Sequence, residues 1–311
     1  MKTKWIGNDI GLALGGGGAR GLAHIGVLKV LEEEQIPISL IAGTSSGALI
    51  GAAYASGVSA AELETKVTDY LNSEEFQSSA IRSLEQTSDH MEVGLTKKIH
   101  NFFLNKFYLA QAMFKPGILS AEEFQLMIEY FVPDILIQDT LIPFHAVATD
   151  LVSAEKIIFS EGPLRFAVSA SCSVPGAVEP LRHGQQILSD GGIVTMVPAG
   201  VARCKGADTV IAVVVDKMPI MKDELRSAFD VFSRANDVMS RHLVAHDLMD
   251  ADIIIRPEVG HLQWADFSQA LGLVDAGAKA TKEALPKIRR AISGINKWFP
   301  VKKIMRTVLQ G

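Results

Sequence analysis

Cysteine is almost missing from this chain: Cys172 and Cys204 are the only two in 311 residues. They show no C-x-x-C spacing and no histidines clustered beside them, which argues against a disulfide scaffold or a zinc site and suits a reducing compartment. Long hydrophobic runs are missing too. The most apolar stretch, Ile38 to Val58, is so rich in Gly, Ala and Ser that it reads as strand, turn and helix, not as the continuous span of about 20 lipophilic residues that crosses a bilayer. No secretory leader is expected, because Asp9 and a run of glycines break the apolar segment behind Lys2 and Lys4. Internal repeats, low-complexity tracts and long Pro/Gly/Ser linkers are absent as well, so a single domain over residues 1–311 is expected.

What is present can bury a full core, since 48% of the residues are hydrophobic and 21% charged; disordered and fibrous classes are excluded. The net charge of −5 is unevenly spread. From Lys279 to the C-terminus nine Lys or Arg stand against Glu283 alone, a local charge of +8 that leaves −13 on the rest. Trp298, Phe299, Ile304, Met305 and Leu309 are interleaved with those charges. The basic tail over 279–311 therefore fits an anionic membrane surface better than nucleic acid. A helix packed on the acidic body is the alternative.

Strand-like apolar runs occur at Ile10 to Leu14, Ser39 to Ala42, Phe144 to Ala148, Lys156 to Phe159, Ile187 to Ser189, Thr209 to Val215 and Asp252 to Ile255. Helical patterns lie between them: Leu22, Ile25, Leu28 and Leu31 recur at helical spacing, Ser46 to Ser56 is a small-residue helix closed by Gly57, and Ala199 to Cys204 and Leu225 to Met249 also read as helices. This alternation predicts an α/β fold with a mainly parallel sheet and chemistry at the carboxyl ends of its strands. Residues 71–131 break the alternation and predict an inserted helical cap. Its stripe of Ile99, Phe102, Phe103, Phe107, Ala110, Met113 and Phe114 reads either as core packing or as a lipid-facing lid.

Three motifs carry chemistry. Gly15-Gly16-Gly17-Gly18-Ala19-Arg20-Gly21 follows a strand and opens a helix, so its backbone amides can converge on an anion or a developing oxyanion. The same string begins a dinucleotide-binding fold, but that reading wants an acidic residue at the end of the second strand, where this chain has Gly43. Gly43-Thr44-Ser45-Ser46-Gly47 is a G-x-S-x-G between strand and helix, the setting of a nucleophile elbow, in which small neighbours let strand and helix approach. Ser45 projects from that turn, whereas Ser46 begins the helix. Asp190-Gly191-Gly192, at the end of a short strand, would by itself pass for a turn. His242, His246 and His261 are the histidines placed where an α/β-hydrolase triad would want one, and none sits in a recognisable catalytic loop. His24, on the first helix, reads as packed or capping.

In order along the chain, G-G-G-G-A-R-G, G-T-S-S-G-A-L, P-F-H-A-V-A-T-D-L, A-V-S-A-S-C-S-V-P-G, S-D-G-G and G-A-D-T-V-I-A-V-V-V-D resemble the bacterial patatin-like phospholipases, over about Ile10 to Asp216. The resemblance implies a three-layer α/β fold, a mainly parallel central sheet flanked by helices with an inserted helical cap. It also implies a Ser-Asp dyad, with Ser45 as nucleophile, Asp190 as base, the amides of Gly16, Gly17 and Gly18 as oxyanion hole, and Gly15, Arg20, Gly21, Gly43, Gly47, Gly191 and Gly192 in support. The activity it implies is hydrolysis of lipid acyl esters, of phospholipase A or lysophospholipase type, through an acyl-enzyme without metal or cofactor. From the cysteines, the missing leader and the basic tail, a cytoplasmic location is expected, with peripheral contact at the inner membrane face as an option. Arg20 either fixes the loop or meets a lipid phosphate.

Two positions depart from the family pattern. Ser46 stands where a small residue is usual. After Asp190-Gly191-Gly192 the family often has an Asn, whereas this chain reads Ile193-Val194-Thr195-Met196-Val197-Pro198, which leaves the support of that loop unaccounted for. An ordinary aspartate, with a pKa of about 3.9, is a poor base at neutral pH unless its site is dry. A nucleotide-binding protein and a catalytically silent lipid-binding protein are the competing readings, and labelling by a fluorophosphonate would separate them from a serine hydrolase.

Overall fold

The computed structural model of the chain describes residues 9–79, 82, 121–216, 225, 227–260, 262 and 265–292. Strands β1 (Ile10–Leu14), β2 (Leu40–Thr44), β3 (Phe144–Asp150), β4 (Glu155–Phe159), β5 (Leu181–His183), β6 (Gln186–Asp190), β7 (Thr209–Val213) and β8 (Ile253–Ile255) form one sheet. Its order is β5-β6-β3-β2-β1-β7-β8, with β4 also paired to β3. From β3 to β8 the neighbours run parallel, whereas β4, β5 and β6 join antiparallel. The central strands read as near-continuous apolar runs because parallel strands are covered on both faces. In β1, Ile10, Leu12 and Leu14 face one helical layer and Ala13 the other.

The helices are α1 (Ala23–Glu33), α2 (Ser46–Ala55), α3 (Ala60–Asn72), α4 (Glu74–Gln77), α5 (Ala121–Phe131), α6 (Leu164–Ser171), α7 (Ala199–Cys204), α8 (Ala228–Asp247) and α9 (Ala270–Ile292). One face of the sheet carries α1, α2, α3 and α9, and α7 with Val244 of α8 covers the other. The three layers are thus helix, sheet, helix. Against α1 lies α9 at backbone distance: a Cβ on Gly26 would fall 1.8 Å from the Val274 carbonyl oxygen, and one on Gly277 would fall 1.9 Å from that of Ala23. Only glycine permits such an approach, and it lets Leu273, Val274, Ala284 and Ile288 of α9 bury against the body.

Strand β3 decides where the chemistry sits. One of its edges is taken by β4 along Ala146 to Asp150. On the other edge β2 pairs with Phe144 to Val147, and β6 pairs, from the opposite direction, with Ala148 to Asp150. The tips of β2 and β6 therefore meet: Thr44 is registered on Val147, and Asp190 on Ala148.

The expected cap is described only at its ends, where α4 buries Phe76 and α5 buries Phe124, Ile128 and Phe131; the stripe from Ile99 to Phe114 lies outside the described residues. Of the basic tail, residues 279–292 belong to α9 on the body, and Arg289 pairs with Glu34. Trp298 and Phe299 lie outside the described residues. No helix among the described residues is long and apolar enough to cross a membrane.

Candidate active site

Between β2 and α2, Ser45 takes φ 53° and ψ −126°, a left-handed conformation that costs a non-glycine residue about 1–3 kcal/mol. Its surroundings hold it there. The Ser45 amide donates to Ser171 Oγ at 3.0 Å, and the Ser45 carbonyl oxygen accepts from Cys172 Sγ at 3.0 Å and from the amides of Ala48 and Leu49. The elbow also needs its flanking glycines: a Cβ on Gly47 would lie 2.2 Å from the Leu14 carbonyl oxygen, and one on Gly43 would lie 2.5 Å from the Ala48 Cα.

Asp190 ends β6, only 6% exposed, and faces Ser45. Burial pushes its carboxyl up to about 6, while the Ser45 hydroxyl and the Gly192 amide, 2.6 Å from Oδ1, hold it down. Its backbone is fixed as well, with the amide donating to Ser173 O at 2.9 Å and the carbonyl accepting from Thr149 Oγ1 at 2.8 Å. A carboxylate with this proton affinity can take a hydroxyl proton near neutral pH, which an unburied aspartate does poorly. Gly191 sits tight on the Val147 carbonyl oxygen, where a Cβ would come within 2.2 Å.

The glycine run divides its amides. Gly15 donates to Val213 O at 3.1 Å, Gly16 to Met196 O at 2.9 Å and Gly17 to Ser46 Oγ at 3.1 Å. The Gly18 amide has no acceptor among the described residues and lines the same cavity as Ser45. Of the three amides expected to face an oxyanion, Gly18 is thus the one left open, and Gly16 and Gly17 anchor the loop. Arg20 Nε donates to Gly17 O at 3.0 Å, a bond within the glycine loop. Gly21 leaves room for Ser46. His24 is fully buried and donates from Nε2 to Gly15 O at 2.8 Å; burial lowers it to about 4, so its ring is neutral and structural.

Ser45 and Asp190 meet, and the glycine loop adjoins them. Neither His242 nor His246 joins them, for both are exposed on α8, and His261 lies outside the described residues. No group of three His, Cys, Asp or Glu side chains among the described residues could hold a metal ion. Sequence reasoning missed the roles of Ser171 and Cys172, although both stand in the A-V-S-A-S-C-S-V-P-G segment, and that of Ser46 as acceptor for the glycine loop.

From Ser45 an apolar cavity opens between α2, α3, α4 and α5. Leu49 and Ile50 of α2, Val67 and Tyr70 of α3, Phe76 of α4, and Phe124, Met127 and Phe131 of α5 line it. Aromatic contacts tie this wall together, among them Tyr70 to Phe131 and Phe76 to Phe267. Its chemistry suits a hydrocarbon chain attached to a carbonyl at Ser45.

A family model described as patatin-like phospholipase matches residues 12–203. The chain is 30% identical over 305 residues to patatin-like phospholipase domain-containing protein ZK370.4 of Caenorhabditis elegans, covering 89% of this chain and 20% of that protein. It is 35% identical over 211 residues to patatin-like phospholipase domain-containing protein 6 of Mus musculus, covering 67% and 13%. With the NTE family protein Mb1092c of Mycobacterium bovis it shares 34% identity over 204 residues, 66% of this chain and 48% of that one. The chain thus spans a fifth or less of these animal relatives and about half of the mycobacterial one. Among solved structures, VipD from Legionella pneumophila has a similar fold, with a TM-score of 0.50 and 15% identity over 90% of this chain and 67% of that one.

Proposed function

The chain belongs to the patatin-like phospholipase family, and from that membership we propose that it hydrolyses lipid acyl esters, of phospholipase A or lysophospholipase type, with Ser45 and Asp190 as a catalytic dyad. The observation that carries the reading is the meeting of β2 and β6 on one edge of β3, which sets a serine in a left-handed elbow against a buried carboxylate whose proton affinity is raised to about 6. Ser45 Oγ attacks the ester carbonyl while Asp190 takes its proton. The Gly18 amide donates to the developing oxyanion, and Asp190 returns the proton to the leaving alcohol. Water activated by Asp190 then cleaves the acyl-enzyme, and the acyl chain lies in the cavity between α2, α3 and α5. An apolar wall helps the chemistry as well as the binding, because the desolvation that accepts the chain also raises the base.

Contact between the basic tail and an anionic lipid surface is part of this reading, supported by the residues beyond Ile292, where Lys297, Lys302, Lys303 and Arg306 surround Trp298 and Phe299. A fluorophosphonate probe followed by peptide mapping tests the centre of the proposal. Labelling of Ser45, lost in Ser45→Ala and accompanied by release of fatty acid from a phospholipid or lysophospholipid, is expected. Labelling at another residue, or none from an active preparation, would refute it.

A further inference from the structure

The segment Thr195 to Val197 touches the end of β2, the glycine loop and the loop after Asp190. Thr195 O accepts from Thr44 Oγ1 at 3.0 Å, next to Ser45. Met196 O accepts the Gly16 amide at 2.9 Å, and the Met196 side chain packs against both Gly16 and Gly192. The loop's own hydroxyl, Thr195 Oγ1, donates to Val194 O at 2.8 Å and does not serve the Val197 amide. Instead the Asp247 carboxylate, Oδ2 at 2.9 Å from the Val197 amide, reaches in from the last residue of α8. A carboxylate at a helix C-terminus opposes the helix dipole. Asp247 is also 9% exposed, and burial pushes its carboxyl up to about 6 against the pull of the Val197 and Met196 amides, His246 and Lys156. Neither the helix nor the desolvation favours an ionised group there, so its place is explained by what it holds.

Resting on the dyad reading, we propose that Asp247 is a positioning residue for the reaction: it clamps Met196 and Val197 from outside the matched family segment, and so sets the Gly16 amide and, through it, the open Gly18 amide relative to Ser45. Its action runs along one chain of contacts, from Asp247 Oδ2 to the Val197 amide, across the Met196 peptide to the Gly16 amide, and on to the loop beside the serine.

The test uses the full chain, a soluble nitrophenyl butyrate and three variants. Asp247→Ala should lower kcat about tenfold or more with KM within about twofold, since it disturbs transition-state stabilisation and leaves the acyl cavity intact. Asp247→Asn, whose Oδ1 still accepts from Val197, should restore kcat to within about threefold of the parent. Hydrogen exchange of the peptide containing Gly16 should quicken in Asp247→Ala and return to normal in Asp247→Asn. Should Asp247→Ala fail to fold, Asp247→Leu keeps the volume without the acceptor and is read the same way. Parental kcat in a folded Ala or Leu variant overturns the clamp, and so does an Asn variant as impaired as Ala. Ser45→Ala is run beside them: if it keeps labelling and turnover, the dyad reading fails whatever Asp247 does.

Discussion

Around Ser45 the machinery is nearly contiguous: β2, the elbow and α2 follow one another from Leu40 to Ala55, and the glycines that let them close are two residues from the serine on either side. Around Asp190 it is scattered. That carboxylate arrives on an antiparallel strand, registered by β3, anchored through Ser173 and Thr149, and continued by a loop held from Thr44 and Asp247. Mutation should therefore act differently on the two sides. Both sides are tight, with Gly191 as crowded as Gly47, but on the aspartate side a buried charge is sensitive as well.

The largest expected effect removes either member of the proposed pair. Ser45→Ala and Asp190→Asn should each cost on the order of 10⁴-fold or more in kcat for a soluble ester, and the double variant should cost no more than either alone. Stability separates them. Because the folded carboxyl of Asp190 titrates at about 6 rather than the ordinary 3.8, the folded state binds the proton more tightly than the unfolded one. Its ionisation therefore costs stability that is absent below about pH 4, grows through pH 6 and is complete above it, on the order of 3 kcal/mol before solvent relaxation. Asp190→Asn should accordingly melt higher than the parent at pH 7.5 and level with it at pH 4, whereas Ser45→Ala, which removes the hydroxyl that holds this carboxyl down, should diverge the other way and melt lower than the parent at pH 7.5. Melting curves at the two values check this.

Next comes bulk at the elbow. Gly47→Val would drive its side chain into the Leu14 carbonyl, 2.2 Å from where even a Cβ would stand, so it should abolish soluble expression or lower Tm sharply. The same bulk at Gly184, whose Cβ would meet nothing within 4 Å, should cost only the strain of its left-handed backbone. Differential scanning calorimetry of the two variants gives the contrast.

A smaller effect belongs to pH. With Asp190 as base, kcat/KM for a soluble ester should rise as pH passes upward through about 6 and level off beyond it, since only the ionised carboxylate takes the proton. A midpoint near 4 would mean that burial does not govern this carboxylate in solution. Ser171→Ala lies below that in size: it strands the buried Ser45 amide, which should cost about 1–3 kcal/mol of stability with a lesser fall in kcat. Guanidinium unfolding together with steady-state kinetics measures both.

The smallest effect concerns the end of the chain. Removing residues 293–311 spares α9 and should leave ester turnover intact, while weakening co-sedimentation with anionic vesicles at low salt, where each basic residue near the surface contributes about 1 kcal/mol. Equal binding by the full and shortened chains would sink the membrane role. A cut before Lys279 is a different experiment, for it strips Ala284 and Ile288 from the core and should lower Tm and activity together.

Much of this protein was legible in residue order because local sterics wrote it. The elbow could be read from Gly43 to Gly47, since a strand and a helix cannot close around a serine with larger neighbours. Apolar runs marked β1, β2, β3 and β7, because parallel strands buried on both faces tolerate little else. The short strand Leu181–His183 carries no periodic signal, being three residues with two exposed, and α6 lies between stronger ones. The division of labour among Gly16, Gly17 and Gly18 was hidden too: which amide stays open depends on Met196 and Ser46 arriving from elsewhere. Nothing in the pattern singled out Asp247, a carboxylate in a polar helix fifty residues from the amide it holds. Residue order thus dictates the backbone geometry that short-range clashes permit. Tertiary structure alone decided that β2 and β6 meet tip to tip on β3, because strand register and the desolvation of Asp190 come from contacts between segments far apart in the chain.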